Sequence, residues 1–271
     1  MRIKFWGVRG STPTPHLENL RYGGNTSCVE VRLGDNLYIF DCGTGFRALG
    51  QQLGQEFVGR EVFAHVFVSH FHWDHIQGFP FFRPLYERPN RFLFHCSSRN
   101  RSLQRVMEEQ MASPFFPVGL VEMQAQREFF DLNEGRLSLD DMMVQTAWLN
   151  HPQGCMGFRL ETKDGVFVYA TDNEPGDPVF DQSVRKLAAG ADVLVYDAQY
   201  LPDEYQAGRR GWGHSHWREA VNVVMESGAK ELVLYHHDPA HNDTCIDKVV
   251  KEASNYYARV RAASEGMEIV L

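Results

Sequence analysis

His70, His72, Asp74 and His75 fall within six residues, in the stretch Ser69-His70-Phe71-His72-Trp73-Asp74-His75. Imidazole and carboxylate donors suit borderline-soft divalent cations such as zinc. The stretch follows an apolar run, Val62-Phe63-Ala64-His65-Val66-Phe67-Val68, whose valines and phenylalanines read as a buried strand. The His/Asp cluster therefore belongs to the loop at that strand's end, with Asp74 and His75 opening a helix. His70 and His72 are two residues apart and can point to one side of an extended segment. Asp74 and His75 follow where the chain turns, so one short loop could supply ligands to two adjacent metals.

The elements that must position these groups can be read along the chain. Strands are predicted near 2–6, 28–33, 37–41, 62–68 and 92–95. A mainly β stretch follows, near 126–130, 136–139, 142–148, 156–161 and 166–171, and then strands at 192–196, 231–235 and 266–270. Helices are predicted near 46–57, 99–111, 181–188, 216–227 and 243–257, with Ser215 as a candidate N-cap. Strands clustered in each half, with helices between them, imply a β-sandwich covered by helices. Further residues of the same chemistry stand where predicted strands stop: His151, Asp172, His214 and His236. In layered folds, strand ends converge on one rim, where sites are commonly built. His16, His65 and His95 have no such context and receive no role.

Composition narrows the partners. The 27 basic and 35 acidic residues give a net charge of −8, which disfavours a stable complex with a nucleic-acid backbone. One local basic segment exists, carrying Arg83, Arg88, Arg91, Arg99, Arg101 and Arg105. The five cysteines are widely spaced and form no CxxC pair, which argues against a disulfide framework and points to a reducing cytoplasm. Neither a signal peptide nor a membrane-spanning helix is read in the sequence. Residues 77–125 are dense in aromatics and prolines, and they read as an insertion within one domain spanning 1–271. They could fill a subsidiary core, wall off the site as a lid, or form a homodimer contact.

Residues 70–75 match the HxHxDH motif, and the chain resembles the metallo-β-lactamase-fold hydrolases. Asp41-Cys42-Gly43-Thr44-Gly45 resembles their D-x-G-x-G turn, and Leu234-Tyr235-His236-His237 their last ligand histidine. Gly24-Asn25-Thr26-Ser27 and Gly213-His214-Ser215 are similar to segments of the phosphodiesterase branch that includes ribonuclease Z. The resemblance implies an α/β fold, a four-layer αββα sandwich of mixed sheets flanked by helices. It implies two divalent transition metals, zinc in the first instance, with manganese or iron able to use the same donors. His70, His72 and His151 would hold one metal. Asp74, His75 and His236 would hold the other, with Asp172 bridging. His237 competes with His236 as the last ligand, and the Leu-x-His ending favours His236.

By the same resemblance, a shared hydroxide would attack phosphorus in line, Asp74 would take part in the chemistry, and His214 would protonate the leaving alkoxide or bind a phosphoryl oxygen. Asn25 and His237 are candidate substrate contacts. The basic, glycine-rich arm of ribonuclease Z has no counterpart here. That departure and the net charge shift the expected substrate to a small phosphodiester such as a cyclic nucleotide. The alternatives are a tRNA 3′-processing endoribonuclease and a lactone or thioester hydrolase on the same metals.

Overall fold

The computed structural model of the chain describes residues 1–97, 102–139 and 141–271. Arg99, Arg101 and the start of the helix predicted over 99–111 lie outside the described residues. Strands β1 (Arg2–Gly7), β2 (Cys28–Leu33), β3 (Asn36–Phe40), β4 (Phe63–Val68), β5 (Arg91–Cys96) and β6 (Gln126–Asp131) form one sheet. Strands β7 (Gly135–Leu139), β8 (Met142–Leu149), β9 (Cys155–Thr162), β10 (Gly165–Ala170), β11 (Val193–Asp197), β12 (Leu232–Tyr235) and β13 (Val260–Ala262) form the other. The last strand, β14 (Glu268–Val270), returns to the first sheet beside β1. The helices are α1 (Thr44–Glu56), α2 (Trp73–Ile76), α3 (Leu103–Gln110), α4 (Pro178–Ala188), the single turn α5 (Pro202–Glu204), α6 (Trp217–Ser227) and α7 (Asp243–Ser254).

Alternation along the strands builds the layers. In β3, Leu37 and Ile39 face a core shared with Phe46, Leu49 and Leu53 of α1. Tyr38 and Phe40 face the other way, into the core between the sheets. Phe40 there contacts the rings of Phe67, Phe158, Phe167 and Tyr169, so truncation to alanine would cost about 3–5 kcal/mol. A third core sets Val168, Leu194 and Leu234 against Val184, Leu187, Val221 and Val224 of α4 and α6. Because both faces of each sheet are covered, the central strands are almost continuously apolar. The order is helix, sheet, sheet, helix, as the αββα expectation requires.

Two local expectations are revised. Helix α6 is capped by His216, not Ser215. The His216 backbone is extended and its Nδ1 accepts from the Glu219 amide at 3.2 Å. Strand β13 is not predicted from the sequence, because three residues with an exposed arginine between small apolar ones give too short a periodic signal.

Strands β3 and β4 are parallel, as are β10, β11 and β12. Their C-terminal ends therefore open onto one rim. The sheets are tied together there: the Met156 amide donates to the Ser69 carbonyl at 2.9 Å, and the Tyr169 hydroxyl donates to Asp41 at 2.8 Å.

Candidate metal centre

Every strand-end candidate of the His/Asp type reaches this rim. The side-chain donors of His70, His72 and His151 lie within 4.8 Å of one another, as do those of Asp74, His75 and His236. Asp172, just past β10, stands between them. Its Oδ2 is 3.6 Å from His70 Nε2 and 3.8 Å from His151 Nε2. Its Oδ1 is 3.3 Å from His75 Nε2 and 3.4 Å from His236 Nε2.

The far nitrogen of each imidazole is held by an acceptor. His75 Nδ1 donates to Asp41 (2.8 Å), His151 Nδ1 to the Gly213 carbonyl (2.7 Å), and His236 Nδ1 to Gln199 Oε1 (2.9 Å). His72 Nε2 donates to Gln153 Oε1 at 2.8 Å, and His70 Nδ1 lies 3.1 Å from the Ser69 hydroxyl. In a neutral imidazole such partners fix the tautomer and leave the inward nitrogen as a lone pair. The inward nitrogens crowd together: His75 Nε2 and His236 Nε2 are 3.2 Å apart, His151 Nε2 and His72 Nδ1 2.9 Å. His70 Nε2 is buried and has no hydrogen-bond partner. A buried lone pair without a donor is costly, and a cation removes that cost. The residues present fit divalent metal ions.

The electrostatics follow from this packing. Burial holds the His70 pKa well below the ordinary histidine value, helped by neighbouring His75. Burial likewise lowers His151 to about 4. For His75, burial opposes protonation, but the carboxylates of Asp172, Asp74 and Asp41 outweigh it and raise the pKa well above normal. Burial also opposes ionisation of Asp172, and His236, His75 and His70 override it and hold the carboxyl well below its usual range.

Backbone geometry at the rim is unusual. Five non-glycine residues among those described have positive φ: Ser11, Asp41, Gln153, Asp172 and His236. All five belong to the centre or touch it. The Ser11 amide donates to Asp74 Oδ2 at 2.8 Å, and the other four hold or provide the groups above. Left-handed backbone costs such residues about 1–2 kcal/mol each, and here it turns side chains back from strand ends into the rim. Gly213 meets a different demand: a Cβ there would lie 2.3 Å from His151 Nδ1.

His214 lies alongside. Its ring stacks on His236 with centroids 4.9 Å apart, and its Nδ1 is 2.9 Å from Asp197 Oδ2. Burial opposes its charge, but Asp197, Asp172 and Asp74 raise its pKa to about 9. His214 could also join Asp172, Asp197 and His236 as a further donor set. Glu174 anchors the loop that carries it, accepting from the Gly211 amide (2.6 Å), the Gly213 amide (2.7 Å) and the Tyr205 hydroxyl (3.2 Å).

The two candidate substrate contacts are not brought to the cluster. His237 is buried, its Nε2 donates to the Ala263 carbonyl at 2.9 Å, and its ring meets Tyr22 edge-on. Burial pushes its pKa down to about 3. Asn25 is bound through its amide and Nδ2 to Glu265, at 2.6 and 3.0 Å, and lines a neighbouring cleft. Residues the sequence reading did not single out are Asp197, Gln199, Gln153 and Glu174. Asp197 stands at the end of β11, the same signal that marked the others.

A family profile described as the beta-lactamase superfamily domain matches residues 36–237. The chain belongs to the beta-lactamase superfamily. Within that superfamily it is a metal-dependent hydrolase of the metallo-β-lactamase fold, in the ribonuclease Z-like branch. It is 25% identical to a protein named ribonuclease Z from Haloarcula marismortui, with 99% of this chain and 96% of that one covered. A ribonuclease Z of Streptococcus suis is also 25% identical, with both chains covered at 100%. Two solved structures share the fold at TM-score 0.74. One is YhfI, a metallo-β-lactamase-fold protein of Bacillus subtilis (19% identity; 99% of this chain, 98% of that one). The other is a diphosphatase of the PhnP family (17% identity; 100% and 97%). No helix among the described residues is long and apolar enough to cross a membrane.

Proposed function

We propose that the protein is a binuclear metal-dependent phosphodiesterase acting on a small phosphodiester such as a cyclic nucleotide. The observation that carries this reading is the placement of Asp172, one carboxylate oxygen toward each donor set. His70, His72 and His151 would hold one divalent ion, and Asp74, His75 and His236 the second. Zinc suits these donors, and manganese or iron could use them too. When bound, such a pair lowers the pKa of a shared water and clamps the attacking and leaving oxygens of an in-line displacement.

The protein's own groups then have separate tasks. Asp172 holds the two donor sets in one frame. Asp41 accepts from Ser69, Tyr169 and His75, which fixes the His75 ring. His214, protonated at neutral pH and oriented by Asp197, is suited to give a proton to a departing alkoxide. The −8 charge and relatives named ribonuclease Z pull the substrate in different directions. The alignment with the Haloarcula protein runs over 316 positions against 271 residues here, so that relative carries insertions that this chain lacks. This supports a compact substrate. The names of the relatives support tRNA 3′ processing as a second reading, for which binding of precursor tRNA should weaken steeply with salt.

The test is hydrolysis of methyl p-nitrophenyl phosphate by metal-loaded protein, with metal counted by mass spectrometry. His214→Ala should lower kcat by about 10²–10⁴-fold and leave metal content intact. Loss of one metal in that variant would make His214 a ligand instead, and absence of hydrolysis by the wild type would remove the phosphodiesterase reading.

A further inference from the structure

Beside α2 lies a cleft of about 510 Å³, a size that accommodates a nucleoside. Its apolar wall is Trp73, Phe81, Phe115 and Phe116. Trp73 stands between His72 and Asp74, so the turn that offers donors to both metals also carries this indole. The side chains of Trp73, Phe81 and Phe115 are 65%, 55% and 81% exposed. The same segment can bury aromatics where packing requires it. Phe79 and Phe82 are fully buried, the latter stacked on Phe46 at 3.7 Å between centroids. The exposed rings are therefore additional to the core and not a failure to fill it.

The polar lining has a definite character. Among the described residues, Arg47 is the charged one lining the cleft and no carboxylate does, although the chain carries 35 acidic residues. That balance favours an anion. Gln110 Nε2 donates to the Ile76 carbonyl at 3.0 Å, which leaves its Oε1 at the wall buried and without a partner.

We propose that this cleft is the subsite for the base of a nucleotide substrate, with the ring stacked on Trp73, Phe81 and Phe115 and Arg47 facing its phosphate side. The inference rests on the phosphodiesterase reading and gives that site a substrate class, a phosphodiester bearing a nucleobase. Aromatic faces bind bases with little sequence preference, because every base has a π-face. A cleft adjoining the ligand turn would bring the phosphodiester to the rim and leave the base outside the donor sets.

The experiment compares AMP with ribose 5-phosphate, which has the sugar and phosphate but no base, by calorimetry on the full chain. AMP should bind at least about tenfold more tightly. Phe81→Ala and Phe115→Ala, both at exposed positions apart from the ligand turn, should each bring the ratio several-fold closer to one. Equal affinity for the two probes in the wild type, or a ratio that neither variant moves, would overturn the proposal. A dimeric wild type that Phe81→Ala turns monomeric in sedimentation would also overturn it, since the cleft would then be a contact between copies. If the ester of the previous test is cleaved but AMP has no advantage, the cleft assignment is lost and the phosphodiesterase reading stands. If AMP has its advantage and no ester is cleaved, the cleft stands as a nucleotide site and the reading is lost.

Discussion

The two donor sets at the rim each take two residues from the same short loop and differ in what surrounds them. Asp74, His75 and His236 are all buried and include a carboxylate. Their supports are buried or backbone groups: Asp41 on His75, Gln199 on His236 and the Ser11 amide on Asp74. His70, His72 and His151 have no carboxylate of their own. His72 is half-exposed and is held by Gln153 at the surface. One side of the centre is thus anchored in the fold and the other is finished at the surface. The first should bind its ion tightly and exchange slowly, and the second should be the side that opens to solvent and substrate.

The largest effect should come from removing what both sides share. Asp172→Asn keeps the shape and loses the charge. Turnover should fall by about 10³-fold or more, with metal content well below wild type by mass spectrometry. Retention of both ions would mean that the sets are independent. The next pair of variants separates the sides. Asp41→Asn should weaken the affinity of one bound ion about 10–100-fold, while Gln153→Ala should weaken the other only a few-fold, both read by chelator competition. Equal losses would erase the distinction.

A smaller effect on turnover should come from Glu174→Gln, since one of two backbone amides loses its acceptor. An unsatisfied amide costs about 1–3 kcal/mol, so kcat should drop about tenfold with KM little changed. An unchanged kcat would mean that the His214 loop holds its place without that anchor.

The smallest effect on turnover, and a test of where acid sensitivity resides, is His95→Phe. His95 lies in the first sheet, 2.9 Å from His65, and burial lowers its pKa to about 4. The unfolded value is about 6.5, so the unfolded chain binds more protons between these pH values. Stability is thus full above pH 6.5 and falls as the pH drops toward 4, by up to roughly 3 kcal/mol from this residue. Denaturant unfolding of His95→Phe should have a flatter pH dependence in that window. An unaltered slope would assign the acid sensitivity to the rim histidines instead.

Much of the centre is legible in the sequence because its donors are rare residue types at a recurring place. His70, His72, Asp74, His75, His151, Asp172 and His236 all follow predicted strands, and parallel strands bring their C-terminal ends to one rim. The supporting groups are harder to read. Gln153, Gln199 and Glu174 are ordinary loop residues whose partners lie 37–81 positions away, and no local periodicity records such distances. His237 is next to a donor and still turns away, its Nε2 held at the Ala263 carbonyl and its ring against Tyr22. The 77–125 segment divides its large apolar residues, with Phe79, Phe82 and Met107 buried and Phe81 and Phe115 outside, a split that composition alone does not reveal.

The five left-handed residues at the rim also bear on how this protein could change over time. A chain shaped by thermal stability alone would have glycine or asparagine at Ser11, Asp41, Gln153, Asp172 and His236. Four of those positions, Asp41, Gln153, Asp172 and His236, cannot change without losing a donor or its anchor. Ser11 contributes its amide to Asp74, which glycine would keep, and beyond that a long 3.5 Å contact from Gln199 Nε2 to its hydroxyl. Selection for heat resistance therefore has an easy route at the entrance to the centre and a closed one at its middle, and the protein's ceiling of stability is set by the residues through which it acts.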